Sequence, residues 1–117
     1  MLITIDPGSD VPLFEQLASS IRAAVMGGAI GPRERLPAAR DLAASLDVNV
    51  HTVLRGYQLL RDEGFVELRR GRGAIVTAHG RNFAQLDRDI SRVVAEARGQ
   101  GLTLAALIAR IREEYTS

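Results

Sequence analysis

The stretch Asp47–Thr77, DVNVHTVLRGYQLLRDEGFVELRRGRGAIVT, decides the fold. Its first half has the period of a helix. Asn49 is a good N-cap, because its side-chain oxygen can take a free N–H of the first turn. Val48 before it and Val53 after it can form a hydrophobic staple. At about 100° per residue, Val53, Tyr57 and Leu60 share one side, with Val50 and Gly56 nearby. His51, Arg55, Gln58 and Asp62 fall on the opposite, exposed side. Gly64 ends the helix. The second half has a different period. Val66 and Leu68 alternate with Glu67 and Arg69, as in a half-buried strand. Ala74–Thr77 reads as a second strand, and Gly71-Arg72-Gly73 as the turn of a hairpin.

Working back toward the start, Met1–Ile5 is short and apolar and suits an edge strand. Asp10 and Pro12 signal a helix start. Leu13, Leu17, Ile21 and Ala24/Val25 then form one helical face, Phe14 widens it, and Gly27-Gly28 stops it. Leu36-Pro37 opens a second, short helix, with Pro37 placed in its first turn. Leu42, Ala43 and Leu46 are its buried side. Asp47-Val48-Asn49 leaves room only for a tight corner.

Two helices at a sharp angle, with small Ala43 at the crossing, describe a helix-turn-helix. The helix from Asn49 is then a recognition helix, whose N-terminal end meets base edges in the major groove. A helix N-terminus also offers backbone N–H groups to a phosphate. A hairpin directly after such a helix is a wing. Arg69, Arg70 and Arg72 bring charge to it, while Gly71 and Gly73 let the backbone turn and come close. On its own, RRGRG would equally suit an ordinary solvated turn; its position favours the wing. Arg40 can touch a backbone phosphate or pair with an acid on the surface. Tyr57 belongs to the core, Arg33 and Arg35 to a solvated turn, and His79 to a linker.

Downstream, Phe83, Leu86, Ile90, Val93 and Ala97 recur at heptad-like spacing, with Val94 beside them. Gly99-Gln100-Gly101 breaks this helix and Thr103 caps a last one. Leu104, Leu107, Ile108, Ile111 and Tyr115 form its stripe. A helical hairpin with two apolar stripes is marginal alone. Pairing with a second copy covers it and sets two recognition helices on one face of DNA; folding back on its own winged helix is the competing arrangement. The expectation is a mainly α chain with a small β-hairpin wing. A winged helix-turn-helix occupies 1–79, and 80–117 is a two-helix dimerisation segment.

Composition narrows the function. Cysteine is absent and only His51 and His79 supply imidazole, so a catalytic metal is not expected. No Ser/His/Asp order and no Walker-type phosphate loop occurs, so neither an enzyme nor a cofactor is expected. No apolar run approaches a membrane span and no signal-peptide pattern opens the chain, so a soluble, cytoplasmic protein is expected. All 15 basic residues are Arg, yet the net charge is only +1. Nucleic-acid binding therefore needs a local basic surface rather than a favourable average.

These residues resemble the GntR family of bacterial transcription regulators. The resemblance runs from Pro12 to Val76, through LPAARDLA, VNVHTV, GYQLLRDEGFVE and GRGAIV in order. The opening ITIDPGSDVPLFEQ and the short helical tail look like the YtrA-type branch, in which two C-terminal helices stand in place of a large effector domain. The resemblance implies DNA contacts at Arg40, at Asn49, Val50, His51 and Thr52, at Arg55, and at the wing tip Arg70, Gly71 and Arg72. Many relatives have Arg where this chain has Val50, so their base preference does not transfer. Asp47 replaces a common Gly. The implied protein is a homodimeric repressor on a two-fold symmetric double-stranded DNA operator, with a small-molecule or envelope signal as effector. A winged-helix module that binds protein is the alternative; it would need an apolar anchor on the exposed helix face, which His51, Arg55, Gln58 and Asp62 do not provide.

Overall fold

The computed structural model describes residues 3–77 and 83–117. The chain divides into two compact units, Met1–Ala84 and Gln85–Ser117. In the first, α1 (Leu13–Met26), α2 (Ala39–Leu46) and α3 (Val50–Asp62) are followed by β1 (Val66–Arg69) and β2 (Gly73–Val76). Then come α4 (Phe83–Gly99), nearly all in the second unit, and α5 (Leu104–Thr116). This is the winged-helix architecture expected.

α3 is the hub of the first unit, packing on α1, α2 and β1. Leu17, Ile21 and Val25 of α1 meet Val53 and Leu60 of α3, all essentially without exposed surface. Gly56 lets the two helices close up. A Cβ there would lie 3.0 Å from Leu17 Cδ2 and 3.2 Å from the Phe14 carbonyl oxygen. Ala43 is buried at the α2 crossing. The corner between α2 and α3 depends on Asp47, which takes the left-handed conformation at φ 54°, ψ 51°. Asn49 caps α3, accepting the His51 backbone N–H at 2.8 Å, with Val48 half-buried and Val53 buried.

The hairpin pairs Val66 with Val76 and Arg69 with Gly73, antiparallel. Its root is wider than two strands. The Arg33 and Leu36 N–H groups donate to the carbonyls of Val76 and Ala74, and the Val76 N–H donates to Glu34 O, each at 2.8 Å. Arg35 thereby bridges Ile75.

Four local expectations need correction. Ile3–Ile5 forms no strand; Ile3 packs on the core, and the Gln16 side chain ties the segment to α1 through the Asp6 N–H (2.7 Å) and carbonyl (3.0 Å). These bonds fix Asp6, the residue that follows the segment, against α1. Pro37 lies before α2 rather than in its first turn, since Ala38 is the N-cap. The Pro37 carbonyl accepts the Tyr57 hydroxyl at 2.7 Å instead of a helical N–H. Leu68 is just over a third exposed although Val66 and its cross-strand partner Ala74 on the same face are buried, because it borders an open cavity between α3 and the hairpin rather than packed side chains. Arg35 sits in the strand-like bridge, not in a free turn.

In the second unit, the Thr103 hydroxyl accepts the Ala106 N–H at 3.1 Å and starts α5. Gly101 turns the chain at φ 75°. The tail exposes two apolar stripes, as expected. α4 and α5 share little beyond their connection. Neither helix buries a residue.

Candidate nucleic-acid interface

The polar side of α3 is open, with His51, Arg55, Gln58 and Asp62 all exposed. The cap positions His51 in the first turn. Asn49 spends its side-chain oxygen on that cap, leaving its NH2 as the donor it can offer outward. Thr52 is half-buried. Val50 is half-buried too and packs against the core, so it offers little of itself to a groove. Arg40 is exposed in the first turn of α2, a helix whose N-cap, Ala38, supplies no side-chain acceptor. The first-turn N–H groups there suit an anion.

The three wing arginines differ. Arg69 is neutralised by its own strand, its Nε and Nη2 donating to Glu67 Oε2 at 3.0 and 2.9 Å. Arg70 and Arg72 are exposed at the tip and make no ion pair among the described residues. Gly71 and Gly73 adopt φ 77° and 74°, as the tight turn requires. Arg55 also has no carboxylate partner among the described residues; its guanidinium carbon lies 3.9 Å from the centroid of the Phe14 ring. Elsewhere in this unit, Arg22 is held by both oxygens of Glu63 at 2.8 and 2.9 Å. In this unit Arg40, Arg55, Arg70 and Arg72 make no ion pair among the described residues, and neither do Arg33 and Arg35 at the root of the wing.

Three side chains here escaped the sequence reading. Phe14 looked like the edge of an apolar stripe, but it carries the Arg55 guanidinium. Leu54 and Leu68, both more than a third exposed, line a cavity of about 290 Å³ between α3 and the wing, with Gln58 and Arg70 at its rim. Leu54 lies one residue before Arg55, on the wing side of the exposed face, and periodicity alone could have flagged it.

The residues expected at a dimer contact are in the tail. Leu86, Ile90, Val93, Val94, Leu104, Ile108 and Ile111 are all exposed apolar side chains. Ala97 and Leu107 are half-buried beside a cavity of about 400 Å³ at the α4–α5 connection. Phe83 differs, being half-buried with its ring edge-on to Phe65 at 5.7 Å, inside the first unit. Among the described residues, no cluster of His, Cys, Asp or Glu could hold a metal. No helix is long and apolar enough to cross a membrane.

Comparison with known proteins gives a consistent set of relatives. The pattern of the family "Bacterial regulatory proteins, gntR family" matches residues 13–76. The chain is 28% identical to the HTH-type transcriptional repressor YtrA of Bacillus subtilis, over 96% of this chain and 91% of that one. Among solved structures, YtrA of Sulfolobus acidocaldarius, a GntR-family transcription factor, is 35% identical with a TM-score of 0.63, covering 81% of this chain and 99% of that one. A GntR family transcriptional regulator from Listeria monocytogenes is 25% identical with a TM-score of 0.65, covering 93% and 98%.

Proposed function

Because the chain belongs to the gntR family of bacterial regulatory proteins, we propose that it is a sequence-specific DNA-binding transcription regulator working as a homodimer in the cytoplasm. The observation that carries this reading is that α2, the open face of α3 and the wing tip each carry an exposed arginine without a carboxylate partner among the described residues. Arg33 and Arg35 at the wing root and Arg88, Arg98 and Arg112 in the tail are likewise without one among those residues. Arg40 is on α2, Arg55 on the open face of α3, and Arg70 and Arg72 at the wing tip. Arg55 suits a base edge, and the wing and Arg40 suit phosphates. The exposed apolar stripes of α4 and α5 support a second copy as their cover. Two copies related by a two-fold axis read an inverted repeat, with half-sites about one helical turn apart or a small multiple of it. Repression is favoured by the name of the Bacillus relative. A small-molecule effector would act between the tail helices, where the α4–α5 cavity lies.

One observation favours the protein-binding module. Leu54 and Leu68 supply an aliphatic patch on the side proposed to face DNA. Two leucines rimmed by Gln58, Arg69 and Arg70 fall well short of a standard protein interface, and the same groups suit a thymine methyl.

The test is selection from a random duplex pool, followed by a salt titration of the winner. An enriched inverted repeat and a steep salt slope are expected. Arg55→Ala should cost about 1–3 kcal/mol and relax preference at one base position. Absence of enrichment would remove the sequence-specific reading.

A further inference from the structure

We propose that Phe14, on α1 outside the helix-turn-helix, is the positioning residue for the base-reading arginine of α3, so that α1 takes part in sequence discrimination. The inference rests on the DNA-reading role proposed for Arg55.

The geometry begins at Gly56. Because α1 comes close enough there for a Cβ to overlap Leu17 and the Phe14 carbonyl, the first turn of α1 lies beside the first half of α3. Leu13 and Phe14 share a surface depression of about 360 Å³ with His51, Thr52 and Arg55. Phe14 is half-buried, so its backbone and ring root are fixed while part of its surface stays open. The Arg55 guanidinium carbon stands 3.9 Å from the ring centroid, which is stacking distance. The ring attracts the cation through its electron-rich face and adds no acceptor, so it leaves the guanidinium N–H groups available.

Those N–H groups are the part a guanine needs, since O6 and N7 accept two parallel N–H bonds. An arginine with no carboxylate partner would otherwise sample many rotamers and lose that freedom on binding. The ring removes much of this cost beforehand without adding a competing acceptor. A carboxylate in place of the ring would hold the same head group, but through the N–H edge itself. Phe14 therefore acts through Arg55 and need touch no base.

The test uses the full chain and the operator selected from the random pool. Phe14→Leu, Phe14→Tyr, Arg55→Ala and the Phe14→Leu/Arg55→Ala pair are measured on that operator and on its single-base-pair variants. Phe14→Leu is expected to weaken operator binding roughly three- to tenfold. It should also flatten preference at the one base pair whose preference Arg55→Ala abolishes. Phe14→Tyr keeps a ring and is expected to behave as the parent. In the Arg55→Ala background, Phe14→Leu should add nothing.

A Phe14→Leu effect equal for all sequences, or undiminished in the Arg55→Ala background, would overturn the platform role and leave only structural support. A silent Phe14→Leu beside an active Arg55→Ala would overturn it as well, with the DNA-reading role of Arg55 intact. A silent Arg55→Ala would instead remove the DNA-reading role, and the platform with it. A second measurement needs no folded variant: in the parent, the Arg55 Nε–H resonance should carry an upfield ring-current shift in both free and operator-bound protein. An unshifted resonance in the bound state would overturn the proposal.

Discussion

Asp47 occupies a conformation that L-residues with a Cβ enter at a cost of about 1–2 kcal/mol. Its carboxylate sits at the C-terminus of α2, the negative end of the helix dipole, and makes no hydrogen bond or ion pair among the described residues. Asp47→Gly is therefore expected to stabilise the fold by about 1 kcal/mol, less what glycine loses in chain entropy; urea unfolding checks it. Tyr57 makes the opposite kind of contribution. Burial pushes its phenol well above the ordinary value of 10.0, so the folded state favours the protonated form that donates to Pro37 O. With the folded value above the unfolded one, its contribution is complete below pH 10 and is lost as pH rises past it. The melting temperature should fall above pH 10 in the parent, and this component should vanish in Tyr57→Phe. At neutral pH that variant should be about 1 kcal/mol less stable, because the Pro37 carbonyl loses its partner. Much at this scale was legible beforehand. The Asn49 cap and the buried Val53 and Tyr57 all follow from spacing within a few residues. The Tyr57–Pro37 bond was not legible, since it joins positions 20 apart that only the folded corner brings together.

At the scale of elements, the wing shows why counting charges on a strand misleads. Sequence places three arginines there alike, yet Glu67 occupies Arg69. The two are neighbours on one strand face, i and i+2, and that period-2 relation could have been seen in advance. Glu67→Gln should release Arg69 and make the dependence of log K on log salt steeper by about one, whereas Arg70→Ala should make it shallower by about one. Fluorescence anisotropy across a salt series separates the two. Leu68 was misread for a related reason. Alternation gives the face a residue points to, but not whether the space beside it is filled or, as at Leu68, an open cavity. The Arg55–Phe14 contact belongs to the same class, because periodicity treats each helix alone and the stacking exists only where α1 and α3 cross.

For the molecule as a whole, the core and most of the exposed apolar side chains are separated. Every residue of the buried core belongs to the first unit, and α4 and α5 bury none. Ile90→Asp should therefore leave the melting of the winged helix nearly unchanged. It should shift sedimentation from dimer to monomer, and operator affinity should drop toward that of a single half-site. A loss of folding instead would mean that the tail helps hold the first unit together. The heptad-like spacing made this tail legible as two helices with exposed apolar stripes, but not how little the two helices touch. Spacing describes one helix and says nothing about the angle between two. The bridge at the root of the wing has a mechanical consequence. With α3 packed against β1 and Arg33–Leu36 stitched to β2, only the Arg70–Arg72 tip overhangs, as a short cantilever clamped on both sides. A load applied at the tip passes to the recognition helix with little slack. Adding residues at the tip lengthens the arm without loosening its clamp, so reach along the duplex can be tuned there independently of the grip of the helix.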